Sequence, residues 1–293
     1  MRSYFCFNRI LAGVIALLLM ATIFFACTKT SSDAAPSNAN DNLSIAAAAD
    51  QASVSGIYDD LFSIAAEISE SEGLSETGRK SGKVDLTDKL GQCYTAETDD
   101  VTLDHWPKTV TVSFGTGCAD ASGRTRAGVV KFIFTGYFRY PGATITVQPV
   151  TYTVNGVSVS GTKVITNVGT NDAYKYTTQV KNGSIKLDTV VITYGSNITI
   201  TQTAGAGTTD VADDIYTFSG SDTLTYPSGN VAITAVSDSS ALERKFDCAW
   251  IGKGKAVLTL KSVQATIDYG NGVCDDSATI SIGDKVKTIG LPK

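Results

Sequence analysis

The sequence predicts a mainly β protein: an antiparallel meander forming a curved sheet, half-barrel or sandwich, with an internal duplication and one N-terminal amphipathic helix. Three observations lead there. Apolar residues alternate with period two from about residue 92 to the end, Asn-Gly pairs punctuate the alternation, and no convincing helical pattern appears after residue 72. Short alternating runs joined by tight turns belong to antiparallel sheets, which keep one face apolar and one polar.

Residues 1–26 stand apart from the fold. Arg2 and Arg9 precede a run of 17 residues without a charge (residues 10–26), which ends at Phe24-Phe25-Ala26-Cys27 and turns polar at once. A basic start, an apolar stretch and a small residue before the break read as a cleaved secretory signal. That edge resembles a lipobox, the motif at which a cysteine receives a diacylglyceryl group. The expectation is a lipoprotein signal peptide over 1–26 and lipidation of Cys27. Phe24 replaces the usual leucine three positions before the cysteine. An uncleaved anchor is the competing reading, and 17 residues lie at the short end of what spans a bilayer.

After residue 26 the chain carries 22 Lys+Arg against 29 Asp+Glu, a net charge of −7. An acidic surface argues against nucleic acid as a partner, so attachment to the membrane falls to the lipid. Residues 27–42 are rich in Ser, Thr, Asn, Ala and Asp and read as a flexible tether. Over 43–71 the residues Ile57, Leu61, Ile64 and Ile68 recur at helical steps, predicting one apolar face, with Gly56 a candidate break. Residues 72–91 complete a helix-and-connector segment, and the β domain spans 92–293.

Within that domain Asn155-Gly156 suits a two-residue hairpin turn, in which both positions need positive φ. It puts Tyr152, Val154, Val157 and Val159 on one face. Asn182-Gly183 predicts a second hairpin over 176–188, with Tyr176, Thr178, Val180, Ile185 and Leu187 sharing a face. Further strands are expected at 108–114, 127–139, 143–150, 189–202, 215–226, 229–236, 254–269, 277–282 and 285–290.

The duplication is carried by "TVSFGTGC" (Thr111–Cys118) and "TIDYGNGVC" (Thr266–Cys274). Each is followed by a short acidic turn and preceded by another cysteine at matching distance, with 24 residues between the two in one copy and 25 in the other. Of the three possible connectivities, the repeat favours Cys93–Cys118 and Cys248–Cys274. Each bridge contributes about 3–4 kcal/mol through loop closure. Four cysteines without a close pair such as C-x-x-C argue against zinc. Trp250 is expected to pack on the second disulfide.

Together with "YTVNGVSVSGTKVITNVG" (Tyr152–Gly169) and "CAW" (Cys248–Trp250), the segment "TIDYGNGVCDDSATISI" (Thr266–Ile282) resembles a family of uncharacterised lipoproteins of Bacteroidota. The likeness covers roughly residues 90–293 and the signal. It implies a lipid-anchored outer-membrane address, with the side faced left open, and it brings no catalytic residues.

Chemistry is sparse. His105 is the only histidine and sits in a loop, with no nucleophile elbow anywhere to serve. Adjacent acids occur at Asp59-Asp60, Asp99-Asp100, Asp213-Asp214 and Asp275-Asp276, where turn capping is the plain reading and a glycosidase pair the sharper one. Asp275, Asp276 and Asp120 could offer oxygens to calcium, but they fit no EF-hand spacing. The Gly-x-Gly turns lead to no helix that could cradle phosphate. Phe132, Phe134 and Phe138 read as core, or as the wall of an apolar cavity beside Gly136. The expectation is a non-enzymatic envelope lipoprotein with a structural or binding role, without catalytic, cofactor or metal residues. Its protein, glycan or lipid partner stays open. A carrier of an apolar ligand or glycan is the alternative, and an envelope-polymer hydrolase the third reading.

Overall fold

A computed structural model of the chain describes residues 39–75, 93–102, 104–171, 173–187, 189–208 and 213–291. All of them belong to one compact unit. The expected signal peptide, Cys27, most of the tether and most of the 72–91 connector lie outside the described residues.

The helix α1 (Ala39–Ser71) runs for 33 residues, about 50 Å at 1.5 Å per residue. It begins four residues before the expected start at 43, so residues 39–42 are helix, not tether. Asp41 explains the extension: an acid in the first turn suits the helix dipole, and it meets Lys285 Nζ at 2.7 Å. Gly56 does not break the helix, and a Cβ there would touch nothing within 4 Å. Burial is also wider than the single expected face. Val54, Tyr58, Phe62 and Ala65 are enclosed along with Leu61, Ile64 and Ile68, as befits a helix surrounded by protein instead of lying on its surface. Among the described residues no helix is long and apolar enough to cross a membrane.

The strands are β1 (Thr95–Thr98), β2 (Lys108–Ser113), β3 (Cys118–Ala119), β4 (Thr125–Ala127), β5 (Val129–Phe134), β6 (Thr144–Pro149) and β7 (Thr153–Val154). There follow β8 (Val157–Asn167), β9 (Lys175–Leu187), β10 (Val190–Ala204), β11 (Ile215–Thr225) and β12 (Val231–Val236). Then come β13 (Leu242–Lys245), β14 (Lys253–Leu260), β15 (Val263–Asn271), β16 (Ser277–Ile282) and β17 (Lys285–Gly290). All pair antiparallel. From edge to edge the neighbours run β1-β2-β5-β6-β8-β9-β10-β11-β12-β14-β15-β16-β17, while β13 joins β11 to β14 and the short β3-β4-β7 group attaches to β8. This is the predicted meander, in the form of one open curved sheet.

The sheet curls because the helix holds both of its edges. Glu72, the residue after its last turn, accepts a hydrogen bond from Thr98 of β1 (2.9 Å), and Asp41 in its first turn pairs with Lys285 of β17. In between, Tyr58 donates to the Ser160 carbonyl of β8 (2.7 Å) and Gln51 to Asp222 of β11 (2.6 Å). Inward-facing residues of the strands and of the turn after β5 pack on α1: Phe62 meets Phe138 of that turn, Tyr176 and Tyr216 at ring separations of 5.8, 5.3 and 6.0 Å. Phe132 and Phe134 are wholly buried core residues. Each such large side chain contributes about 1.5–3 kcal/mol. The outer face is Thr/Ser-rich, with Thr144, Thr166, Thr177, Thr199 and Ser219 aligned in one row across five strands.

Two expected turns come out differently. Asn155-Gly156 is a hairpin turn with φ of 48° and 79°, setting Val154 opposite Val157. Asn182-Gly183 is not. Asn182 does have φ 52°, yet β9 runs straight through it, pairing with β8 and β10. The positive φ makes a bulge, facing register shifts at Gly161 on one side and Gly195 on the other. Gly161 (φ 99°) is required there, because a Cβ would lie 2.7 Å from the Asn182 carbonyl oxygen. A bulge and a two-residue turn both shift the alternation by one, so the predicted buried set holds: Tyr176, Thr178, Val180 and Ile185 all point inward. The expected strand 254–269 is broken at Lys261 (φ 55°) into β14 and β15.

Candidate functional site

Both disulfides form as the repeat implies, Cys93–Cys118 and Cys248–Cys274, with Cα separations of 5.5 and 5.8 Å. The copies superpose in plan: a cysteine, a hairpin (β1-β2 or β14-β15), then a turn carrying the second cysteine. Each turn is fixed by the same device. Asp120 accepts from the amide and hydroxyl of Ser122 (3.0 and 2.6 Å), and Asp275 from those of Ser277 (2.9 and 2.8 Å). Those acids are thus occupied by backbone, and among the described residues no group of three His, Cys, Asp or Glu could hold a metal ion. Trp250 lies on a bend, not a strand, and lines a small void together with Cys248 and Cys274.

Between the first stapled turn and the segment carrying Cys248 opens a cleft of about 350 Å3. Its floor is one side of α1 (Asp60, Phe62, Ser63, Ala66, Glu67). One jaw is the 120–126 turn, with Arg124 and Arg126. The other is the end of β13 and the loop after it, with Arg244, Phe246, Asp247 and Cys248, and Tyr216 of β11 closes the wall.

Asp60 is the hub. It is 2% exposed, a burial that unpaired would be prohibitive. Arg126 meets it as a fork, Nε to Oδ2 at 2.9 Å and Nη2 to Oδ1 at 2.7 Å. Arg124 Nη1 adds a bond of 2.5 Å to Oδ1, and the Tyr152 hydroxyl donates to Oδ2 at 3.3 Å. Burial alone would raise the carboxyl, but the two guanidiniums outweigh it and hold Asp60 well below the usual carboxylate range. Arg126 spends its remaining nitrogen on Asp120 at 2.9 Å. Nearby, buried Lys163 donates to the Tyr58 carbonyl at 2.7 Å and lies 3.7 Å from Asp59, with burial pulling its ammonium down.

Arg244 is served less fully. Nη2 donates to Ser63 Oγ at 2.9 Å and the guanidinium sits 5.2 Å from the Phe218 ring centre. Among the described residues no carboxylate lies within 4.0 Å of it. Arg124 Nε is buried without a hydrogen-bond partner. A smaller pocket of about 60 Å3 shares Arg124 and Arg244 with the cleft and is lined also by Gln51, Asp59, Asp222 and Trp250, among others.

The remaining sequence candidates lie elsewhere. His105 is exposed and contacts Asp100, whose carboxyl is lowered by that bond. Asp214 is buried and accepts from Gln202 and Tyr216 at 2.7 and 3.1 Å. Of the adjacent acid pairs only Asp59-Asp60 reaches the cleft region, and it lies in a helix, not a capping turn. Sequence reading missed the arginines. Their signal was present: an acidic pair inside an otherwise apolar helix needs cations, and Arg124 and Arg126 stand two residues apart where the chain enters the short strand β4.

Comparison of the chain with protein-family models, curated proteins and solved structures returns no match. The class of protein therefore rests on the fold and the cleft: an open antiparallel sheet wrapped around a buried helix.

Proposed function

We propose that this is a non-enzymatic lipoprotein of the cell envelope, tethered through Cys27 to the outer membrane, with a binding role. It belongs with the lipoproteins of Bacteroidota that its cysteine motifs resemble. The observation that carries the binding role is the cleft, whose two jaws each hang on a disulfide and which is lined by arginines from both sides. Two disulfides favour an oxidising compartment, in keeping with the signal sequence. Against catalysis, the Asp60 carboxylate is committed to Arg124 and Arg126, and the single histidine does not line the cleft.

The test is metabolic labelling with a clickable fatty acid, followed by membrane fractionation and affinity capture from intact envelope. Label on the parent chain in the outer-membrane fraction, lost in Cys27→Ala, is the expected result. An unlabelled parent chain, or recovery in the cytosol with reduced thiols, would overturn the reading.

A further inference from the structure

We propose that the cleft takes a monocarboxylate with an apolar body, its carboxylate held by Arg244 and Arg124. The inference deepens the binding role proposed above and rests on it.

Three features of the cleft carry it. First, Arg244 reaches it from one jaw with a single hydrogen bond, to Ser63, and among the described residues no carboxylate partner within 4.0 Å. Arginine is a planar fork that matches a carboxylate in two places, so most of its donors await an acceptor. Second, Arg124 enters from the opposite jaw with side-chain exposure of only 10% and a buried Nε that has no partner. A buried donor left unpaired is costly, and a ligand oxygen that reaches it satisfies it. Third, Phe62, Phe246 and Tyr216 give the same cleft apolar walls, and about 350 Å3 is within the range of small-molecule sites.

Charge decides between one negative charge and two. The lining holds Arg124, Arg126 and Arg244 against Asp60, Glu67, Asp120 and Asp247. Asp60 and Asp120 are neutralised within the arginine network, and Asp247 is exposed at the rim. Glu67 is buried on the helix side. Arg244 is then set against Glu67 and the rim Asp247, so the lining tolerates no more than one further negative charge, held directly on the guanidinium, and repels a phosphate dianion. Burial also works against the charged form of Arg244, Asp59 opposes that effect, and neighbouring Arg124 adds to it. An anion between the two arginines relieves both penalties.

The experiment uses the full mature chain in lipid nanodiscs, with empty nanodiscs as the blank, and follows 19F line broadening of four probes. These are 4-fluorophenylacetate, N-acetyl-4-fluorophenylalanine, 4-fluorophenyl phosphate and the neutral 2-(4-fluorophenyl)ethanol. One or both carboxylates should bind saturably, the alcohol and phosphate at least tenfold more weakly, and Arg244→Gln should weaken carboxylate binding at least tenfold. A preference for the N-acetyl probe would mark a peptide terminus as the source, and a preference for the other a free acid. Ala66→Trp, which fills the cleft from the helix, should abolish binding and serves if Arg244→Gln does not fold. No carboxylate binding, equal binding of the alcohol, tighter binding of the phosphate, or indifference to both variants would overturn the assignment. Repeated on the Cys27→Ala chain in solution, the titration does not involve the anchor, so a failed labelling experiment and a failed titration remain distinct.

Discussion

Replacing Asp222 with asparagine probes how the helix is seated against the middle of the sheet. Asp222 stands on β11, 6% exposed, and accepts a hydrogen bond from Gln51 Nε2 at 2.6 Å. Burial pushes its carboxyl up to about 7; Gln51 works against that rise and Asp59 adds to it. Thr234 sits directly across the ladder on β12. An ordinary aspartate titrates near 3.9, so the folded state keeps a proton through a window in which the unfolded chain has lost it. The stability this contributes is fully present below about pH 4 and is lost as pH rises through 7. A rise of about 3 pH units corresponds to about 4 kcal/mol between the ends of that window. Asparagine mimics the protonated acid and puts a donor where Oδ1 now has no partner. Urea denaturation of parent and Asp222→Asn at pH 4.5 and pH 8, followed by tryptophan fluorescence, reads the difference directly. The two proteins should be close at pH 4.5, and the variant more stable by up to about 4 kcal/mol at pH 8. Parallel pH profiles would refute the reasoning, because every other titrating group is common to both.

Asp60→Ala leaves Arg124 and Arg126 buried against each other and should destabilise the fold by about 3–5 kcal/mol; a loss under about 1 kcal/mol by the same denaturation assay would mean that water serves both arginines. Replacing Cys248 and Cys274 together by alanine should cost about 3–4 kcal/mol, measured against the parent in thermal melts. The same pair should also raise amide exchange in residues 246–252 while leaving that of β9 unchanged, since β9 pairs only with β8 and β10.

Much of this fold is legible in the sequence because local chemistry and global pattern agree there. The Asn155-Gly156 hairpin follows from two φ requirements, and the disulfide pairing from a repeat whose copies adopt one plan. Asn182-Gly183 shows where locality ends. The dipeptide supplies positive φ in either case, and only the presence of strands on both flanks decides that the chain continues through a bulge. Lys261 carries no turn signal, and its positive φ is imposed by the pairing of β14 with β15. The helix was recognisable from Ile57, Leu61, Ile64 and Ile68, but its near-complete enclosure was not, because alanine fits a crowded interior and a surface equally. The cleft was hidden for a related reason: Asp60, Arg124 and Arg244 come from distant parts of the chain, and only the curl of the sheet makes them neighbours.

That curl sets a timetable. α1 is the first described element to be made, yet Asp41 pairs with a residue 244 positions later, on the last strand. Helix turns and hairpins form from neighbours in sequence, whereas this contact closes a loop almost as long as the protein. Until β17 emerges, the apolar sides of α1 have walls only in part. A polypeptide threaded through a narrow pore, at whatever boundary, would keep its interior unfinished to the end of the passage and close around the helix only after release.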